Sequence, residues 1–538
     1  MSGPEAAARP RPGVPGWALA LLAIACYWRI GYGYGTGDHE EILPQLMRAL
    51  DPSLFPRDPY LLSEDAAFSV RFAFVHLVRA VAVVVPLPVA VFALTVASWL
   101  GVCWAGARLS LALVAPGPVA TGRQRAAAAL AVLAAIATVH WTPGGNAVIS
   151  RTLVPESLAW TPVLLAVEAF ARGRTYRSAV LLGVAGWLQP LIGLQVGLLL
   201  GLVGLWRMAD GAPGPALRWA VGFGALYAAV AAPVLVPTLL TQVGTAPPDD
   251  GLTTFYITAY LRQANHYLLF SHHPMEGVRF AAVVAAGLAG AAVLARRGVP
   301  MPRRRFTVRT LAMVGALCVV YVAGTEGAES LAVAKTQLLR LTVLAKWLLL
   351  TWAASAAVAL LPGRWAWPPR PWGWAAAVGA AAVTVAMATA GVGRPAAVWR
   401  PAQHARTDAF RAERWIAGHT PRDAVFLVPP NTTSFRSHAL RSVAINYVPT
   451  TFRDDAMHAW LGRLRTVAPA PLPAGGFAAR QAWRDGLDPA YGAHTPTEWA
   501  RLARTFGADY ALVDLAQTPT PPAGEPVYRA GDWAVFRL

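Results

Sequence analysis

Gly31-Tyr-Gly-Tyr-Gly-Thr-Gly-Asp-His-Glu-Glu41 follows without a break on an apolar run from Trp17 to Ile30. That run is of the order needed to enter a bilayer, whose hydrocarbon takes about 20 apolar residues at ~1.5 Å each to cross. Alternate glycines then free the backbone to turn. The chain next delivers Asp38, His39, Glu40 and Glu41 in four consecutive positions at a predicted membrane surface. Arg9 and Arg11 ahead of the run also suit a signal peptide. No small-x-small site closes the run, however, and Trp28 and Arg29 stand at its end, so an uncleaved first helix is expected.

Working outward, further apolar runs lie at roughly 82–106, 126–141, 157–171, 178–190, 191–206, 219–240, 278–295, 310–324, 341–361 and 373–392. With 16–34 they predict an α-helical polytopic membrane protein of about eleven spans, the short fifth and sixth forming one broken pair. Composition agrees, because 56% hydrophobic and only 14% charged residues exceed what a soluble fold of 538 residues would carry. The excess of 46 basic over 28 acidic residues would suggest nucleic acid in a soluble chain. Here the arginines fall mostly in short loops between apolar runs, so the charge reads as topology and a nucleic-acid partner is excluded. The dominance of Ala, Arg, Gly and Pro, with Lys335 and Lys346 the only lysines, suits a GC-rich bacterial genome. Cys26, Cys103 and Cys318 sit in apolar runs without CxxC or Cys/His spacing, so neither a disulfide framework nor a zinc site is encoded.

If the N-terminus is cytoplasmic, the arginines at 108–125, 172–177, 207 and 218, 296–309, and 364 and 370 all lie inside, as the positive-inside rule requires. An odd number of spans then places the C-terminus outside. The chain divides into a membrane domain, 1–393, with long external loops at 35–80 and 241–277, and an extracytoplasmic α/β domain, 394–538. That domain should begin with a helix near Ala409 to Ala417 and contain strands at Ala424 to Val428, Tyr510 to Val513 and Trp533 to Leu538. Loops as long as the two external ones are expected to carry function.

Three carboxylates and an imidazole at 38–41 can be a solvated cluster or a helix start, since Asp38 and Glu41 have capping-box spacing. They can equally be a general base or metal-binding group beside the bilayer. Asp51-Pro-Ser-Leu-Phe-Pro-Arg-Asp58 reads foremost as turn architecture, with Asp58 a weaker candidate. Leu43-Pro44-Gln45-Leu46, the 51–58 segment and Arg262-Gln-Ala-Asn265-His266-Tyr267 add three short motifs.

A first helix delivering acidic residues into a long external loop, many further spans and a C-terminal external α/β domain resemble the GT-C superfamily of membrane glycosyltransferases. Through the three short motifs the chain looks most like a bacterial branch of it. The resemblance implies that an acidic residue at this place is the catalytic base and that the donor is a sugar on a polyprenyl phosphate or pyrophosphate. In place of an Asp-x-Asp or Asp-Glu pair the chain carries Asp38-His39-Glu40-Glu41, so the base is Asp38 or Glu40, with His39 and Glu41 beside the substrate.

A lipid-phosphate donor needs cations on the external face, where positive charge is otherwise depleted. Arg151, Arg262, Lys335 and Arg340 break the positive-inside pattern there, although any one external arginine can simply snorkel to headgroups. Arg262 is the strongest, with His266 at helical spacing and Tyr267 next to it; Gln337 and Arg340, three apart, share a side. Trp141-Thr-Pro-Gly-Gly-Asn146 and Arg151-Thr-Leu-Val-Pro-Glu156 read as the irregular wall of a cavity. Gln189-Pro190 and Gln195 read as a kink with a satisfied glutamine, and His272-His273 as loop, since adjacent histidines do not share a helix face.

The expected activity is therefore inverting glycosyl transfer at the outer face of the cell membrane, from a lipid-linked donor to a glycan, lipid or protein acceptor. No motif specifies a cofactor, and a divalent metal is left open. The rival is a transporter or a non-catalytic envelope-assembly factor. A transporter predicts paired repeats and midplane charges; no repeat is evident, and the only deep charges, Glu168 and Lys346, lie toward helix ends.

Overall fold

A computed structural model describes residues 14–117, 120–145, 147–211, 213–241, 248, 250–269, 274–362, 407–449, 451 and 453–538. The 373–392 run, the 393/394 boundary, Arg9, Arg11, Arg364, Arg370, Asn146 and His272-His273 lie outside them. Each of the other ten runs coincides with a helix: α1 (Gly16–Ile30), α5 (Leu87–Val114), α6 (Gly122–Ala137), α7 (Pro155–Ala171), α8 (Thr175–Leu188), α9 (Pro190–Leu205), α10 (Pro213–Leu240), α12 (Pro274–Arg296), α13 (Arg304–Val322) and α15 (Thr342–Leu360). Between them stand shorter helices, α2 (His39–Leu50), α3 (Pro59–Asp65) and α4 (Phe72–Ala82) in the first loop, α11 (Ala264–Tyr267) in the second and α14 (Leu331–Lys335) before α15.

Five helical stretches among the described residues are long and apolar enough to cross a membrane: Leu87–Val114, Pro213–Leu240, Met275–Arg296, Arg304–Gly327 and Leu331–Leu360. The count of eleven is not reached on that criterion. α1, at 15 residues, spans only about 22 Å of the ~30 Å hydrocarbon core. α8 and α9 are parted at Gln189, whose extended φ of −145° stops one helix and starts the next. Gln195 is satisfied as expected, its Nε2 donating to the carbonyls of Thr336 and Gln337 at 2.6 and 3.0 Å.

Burial decides which helix is central. Of the most apolar part of Leu331–Leu360, 78% is buried against 22–39% for the corresponding parts of the other four, so α15 is enclosed while the others keep apolar flanks outward. Gly106 of α5 lets Trp347 of α15 approach where any Cβ would overlap the indole. Lys346, fully buried, finds its hydrogen bonds at the end of α6, donating to Thr138 O at 2.7 Å and Val139 O at 3.1 Å; Arg29 donates to Ala137 O at 3.2 Å. Both cations thereby meet the negative end of that helix. At the opposite end of the bundle, Arg303 donates to carbonyls of Ala112, Ala115 and Ala171, and Arg309 pairs with Asp210 at 2.7 Å.

The C-terminal unit is a five-stranded mixed sheet in the order β2-β1-β3-β5-β4. β1 (Val425–Leu427), β2 (Ser442–Val443) and β3 (Tyr510–Asp514) run parallel, and β5 (Trp533–Arg537) lies antiparallel to β3 and to β4 (Tyr528–Ala530). The expected first helix is Asp408–His419, capped by Thr407. The domain does not stand apart from the membrane region. Ile257 and Leu261 of the second long loop are buried in the same apolar cluster as Val425, Trp460 and Leu464, so a π-helical turn at Tyr256–Arg262 completes the domain's core.

Candidate functional site

The glycine segment after α1 is fixed from both sides. Gly31, Gly35 and Gly37 have φ of 70°, 71° and 65°, which an L side chain adopts only at a cost of about 1–2 kcal/mol. Gly33 donates its N–H to Arg151 O at 2.9 Å, and the Arg151 guanidinium lies over Gly37. A Cβ on Gly35 would stand 2.5 Å from His438 Nε2 of the C-terminal domain. Gly35→Ala is therefore expected to lower the thermal unfolding midpoint of the solubilised protein, by strain and by prising the domain from the loop. A variant as stable as the parent would contradict that packing.

The turn separates the acidic quartet. His39 and Glu40 are wholly buried and Glu41 nearly so, whereas Asp38 is exposed. His39 Nδ1 accepts the Gly35 N–H at 3.1 Å and its ring meets Tyr34 edge-on. Burial lowers its pKa to about 4, against the Leu153 backbone, so the imidazole is neutral at physiological pH. Glu41 takes Arg71 at 2.5 Å, and Arg71 reaches Glu64 at 3.7 Å. Glu40 Oε1 takes Arg436 Nη1 at 3.1 Å, the Arg436 N–H at 3.3 Å and Asn446 Nδ2 at 3.2 Å, while Oε2 stays buried without a partner. The expectation of four side chains presented together thus gives way to three turned into packing and one turned out.

Asp38 begins α2 without capping it, since its side chain makes no cap hydrogen bond, so the capping-box alternative is not realised. Its carboxyl sits where burial and Glu41 raise its pKa and where Arg262, Arg151 and Arg71 pull it down, in that order. Solvent reaches the side chain, yet neighbouring protein atoms withdraw part of its hydration, which is the leading cause of the rise.

Asp58 is structural. It caps α3 through Tyr60 and Leu61 N–H groups at 3.1 and 3.3 Å, accepts Val443 N–H at 2.9 Å, and takes Arg436 Nε at 2.7 Å. Arg436 and Arg71, both buried and both pairing with the first loop, escaped the sequence reading. A single arginine in Phe435-Arg436-Ser437 carries no local signal of a carboxylate nearly four hundred residues away.

The remaining candidates form a second group. Arg262 donates to Val448 O and lies 5.4 Å from the Tyr447 ring centroid; its Nε is buried without a partner and no carboxylate pairs with it among the described residues. Arg340 pairs with Glu156 at 2.9 Å, and Glu156 also takes the Trp160 indole at 3.2 Å. Lys335 pairs with Asp454 of the C-terminal domain at 2.7 Å. Gln337 holds a left-handed φ of 45° with its Oε1 buried and unbonded, the kind of strained residue that clusters at functional sites. Tyr267 joins the two halves: burial raises its pKa, and Gln337, Arg340 and Arg262 all oppose the rise. His266 Nδ1 lies 3.0 Å from Gly144 O, placing the 141–145 turn against this group. Arg262 thus acts on both Asp38 and Tyr267. Among the described residues no group of three or more His, Cys, Asp or Glu could hold a metal ion.

A family model described as "Domain of unknown function (DUF6798)" matches residues 408–467, the segment that carries Arg436, Asn446 and Asp454. No curated protein matches the chain. Among solved structures, the crystal structure of the Archaeoglobus fulgidus oligosaccharyltransferase in the apo form aligns with a TM-score of 0.46 at 12% identity, over 93% of this chain and 70% of that one.

Proposed function

We propose that the protein is an inverting membrane glycosyltransferase that moves a sugar from a polyprenyl-phosphate-linked donor to an acceptor hydroxyl at the outer face of the cell membrane. The observation that carries this reading is Asp38: of four neighbouring acid–base groups, it alone is exposed and free of structural duty, and it stands in the field of Arg262, Arg151 and Arg71. The acceptor oxygen would attack the anomeric carbon, the bond from that carbon to the phosphate oxygen would break, and the proton would pass to Asp38. Partial desolvation makes a carboxylate a stronger base. The departing phosphate needs cations already in place. Arg262 is the best suited, because Arg340 and Lys335 are already paired with Glu156 and Asp454. Arg151 lies over the Gly37 backbone next to Asp38. His266, Tyr267 and Gln337 would line the donor side. Glu40 is assigned to Arg436, and His39 and Glu41 to holding the turn. The reading carries with it the eleven-span topology with the N-terminus cytoplasmic and the C-terminal domain outside.

The test uses the full-length protein in lipid nanodiscs with a radiolabelled polyprenyl-phosphate sugar. Arg262→Met should reduce kcat/KM on the order of 10²-fold, as loss of a preorganised charge at the leaving group does. Thermal unfolding of the same variant separates that loss from release of Val448. Binding of the donor without release of sugar by the parent protein would instead favour a scaffold.

A further inference from the structure

Arg480 lies on the helix Phe477–Asp485 of the C-terminal domain and is only 4% exposed. Among the described residues its side chain makes no hydrogen bond and pairs with no carboxylate, and its Nε is enclosed without a partner. The indole Nε1 of Trp483, one turn along the same helix, is also buried and unbonded. Four residues after Arg480, Arg484 lays its guanidinium 4.6 Å from the centroid of the Tyr447 ring, the ring that Arg262 of the second long loop meets at 5.4 Å. Trp483 reaches the same ring, with 6.2 Å between centroids. Tyr260 ties the start of the helix to that loop by donating its hydroxyl to Gly476 O at 3.2 Å. Three arginines and an indole N–H thus gather where the loop meets the domain.

The acids of this stretch are engaged elsewhere. Asp485 is exposed and takes Gln481 Nε2 at 2.8 Å, and Asp488 takes the Asn431 N–H at 2.8 Å. A buried lysine can shed its proton to escape such a setting, but a guanidinium cannot. The Phe477 ring, 5.5 Å from the Arg480 guanidinium, offsets a part of the cost of taking that ion out of water, and a ring face alone does not cancel it. A counter-charge is missing. The rim of the cluster is open to one: Ala474, Gly475 and Gly476 are exposed, and Phe477 and Arg484 are half-buried.

We infer that Arg480 and Arg484 form a subsite for an oxyanion, a phosphate or carboxylate group carried by a substrate in addition to the phosphate that departs in transfer. Guanidinium N–H groups held in a fixed fork match two oxygens of either group, and in a water-poor setting such charge-assisted bonds are strong. A neutral ligand would leave the buried charge as it stands, and a cation would be repelled by all three arginines. The inference rests on the transferase reading only in taking the bearer of the group as a substrate. Anion binding at Arg480 follows from the unpaired charge alone.

Calorimetric titration of the full-length protein, in nanodiscs of phosphatidylcholine without net charge, tests it with inorganic phosphate, glycerol 3-phosphate and glucuronate at an ionic strength held constant by sodium chloride. At least one anion should bind saturably, and Arg480→Met should weaken it by tenfold or more. Without added anion, the unfolding midpoint of that variant should not fall below the parent's, because methionine keeps much of the stem and removes the unpaired charge. Should Arg480→Met fail to fold, Arg484→Gln at its half-buried position decides: a tenfold loss supports the subsite and unchanged binding overturns it. Tighter binding of the phosphates than of glucuronate identifies a phosphorylated ligand, and the reverse an acidic sugar, either result supporting the site. Asp38→Asn should bind the anion like the parent even if it ends transfer, so the two proposals fail separately. Absence of binding by all three anions, binding indifferent to Arg480→Met, or chloride competing on equal terms would overturn the assignment.

Discussion

Asp38→Asn should lower glycosyl transfer by a factor on the order of 10² to 10⁴, the usual contribution of a positioned general base, while the protein stays folded and inserted. Asparagine keeps the size of the side chain and removes only its basicity. Because the Asp38 side chain caps nothing, the substitution removes no hydrogen bond that the turn depends on. Glu40→Gln is the control. Its carboxyl is buried against Arg436 and reaches no solvent, so the variant should retain most of its activity. If Asp38→Asn turned over like the parent, or Glu40→Gln were the dead variant, the proposed assignment of the base would fail.

Arg436→Met should destabilise docking of the C-terminal domain by about 3–5 kcal/mol, the cost of leaving buried carboxylates without their partner. Asp58 and Glu40 both depend on that one guanidinium, and all three side chains are almost completely buried. One guanidinium serves two buried carboxyl groups, and the Oε2 of Glu40 is left buried without a hydrogen-bond partner. Burial raises the Glu40 pKa to about 7, with Arg436 only partly lowering it. A carboxyl whose folded pKa is raised contributes its full stability below the unfolded value near 4.5 and loses it as pH rises through about 7. Unfolding midpoints of the parent should therefore fall between pH 5 and 8, and those of Glu40→Gln should fall less. A steeper fall in Glu40→Gln would show that Glu40 is not the group that titrates.

Periodicity and hydropathy made the bundle legible, because a span needs nothing beyond its own residues: every apolar run in the described residues became a helix, and Gln189-Pro190 broke the pair as expected. α4 was missed, its 11 residues being too short for a span and its apolar stripe of Phe74, Val75 and Val78 facing the loop's own helices. The strands at 425–427, 510–514 and 533–537 fell where β-branched and aromatic residues gathered. In the site, types and places were readable but duties were not. Nothing at residues 38–41 distinguishes a carboxylate that meets Arg436 from one that meets water. That is decided by the turn at Gly35 and by a partner contributed from far along the chain. Lys335 likewise looked like a free external cation until Asp454 stood beside it.

The Glu40–Arg436 pair closes across 396 residues of sequence, and that separation has a consequence for biogenesis. At ~5–20 residues per second, translation leaves the first long loop waiting about 20–80 s for its partner, while helix after helix is made between them. Throughout that interval Glu40 and Asp58 have no guanidinium to meet and must stay hydrated, so the turn that exposes Asp38 and withdraws its neighbours is not yet set. The membrane region can be fully threaded and still lack its site. Assembly ends only when Arg436 and its neighbours emerge and fold back onto what was made first, so a chain interrupted before them would leave Glu40 and Asp58 without their partner.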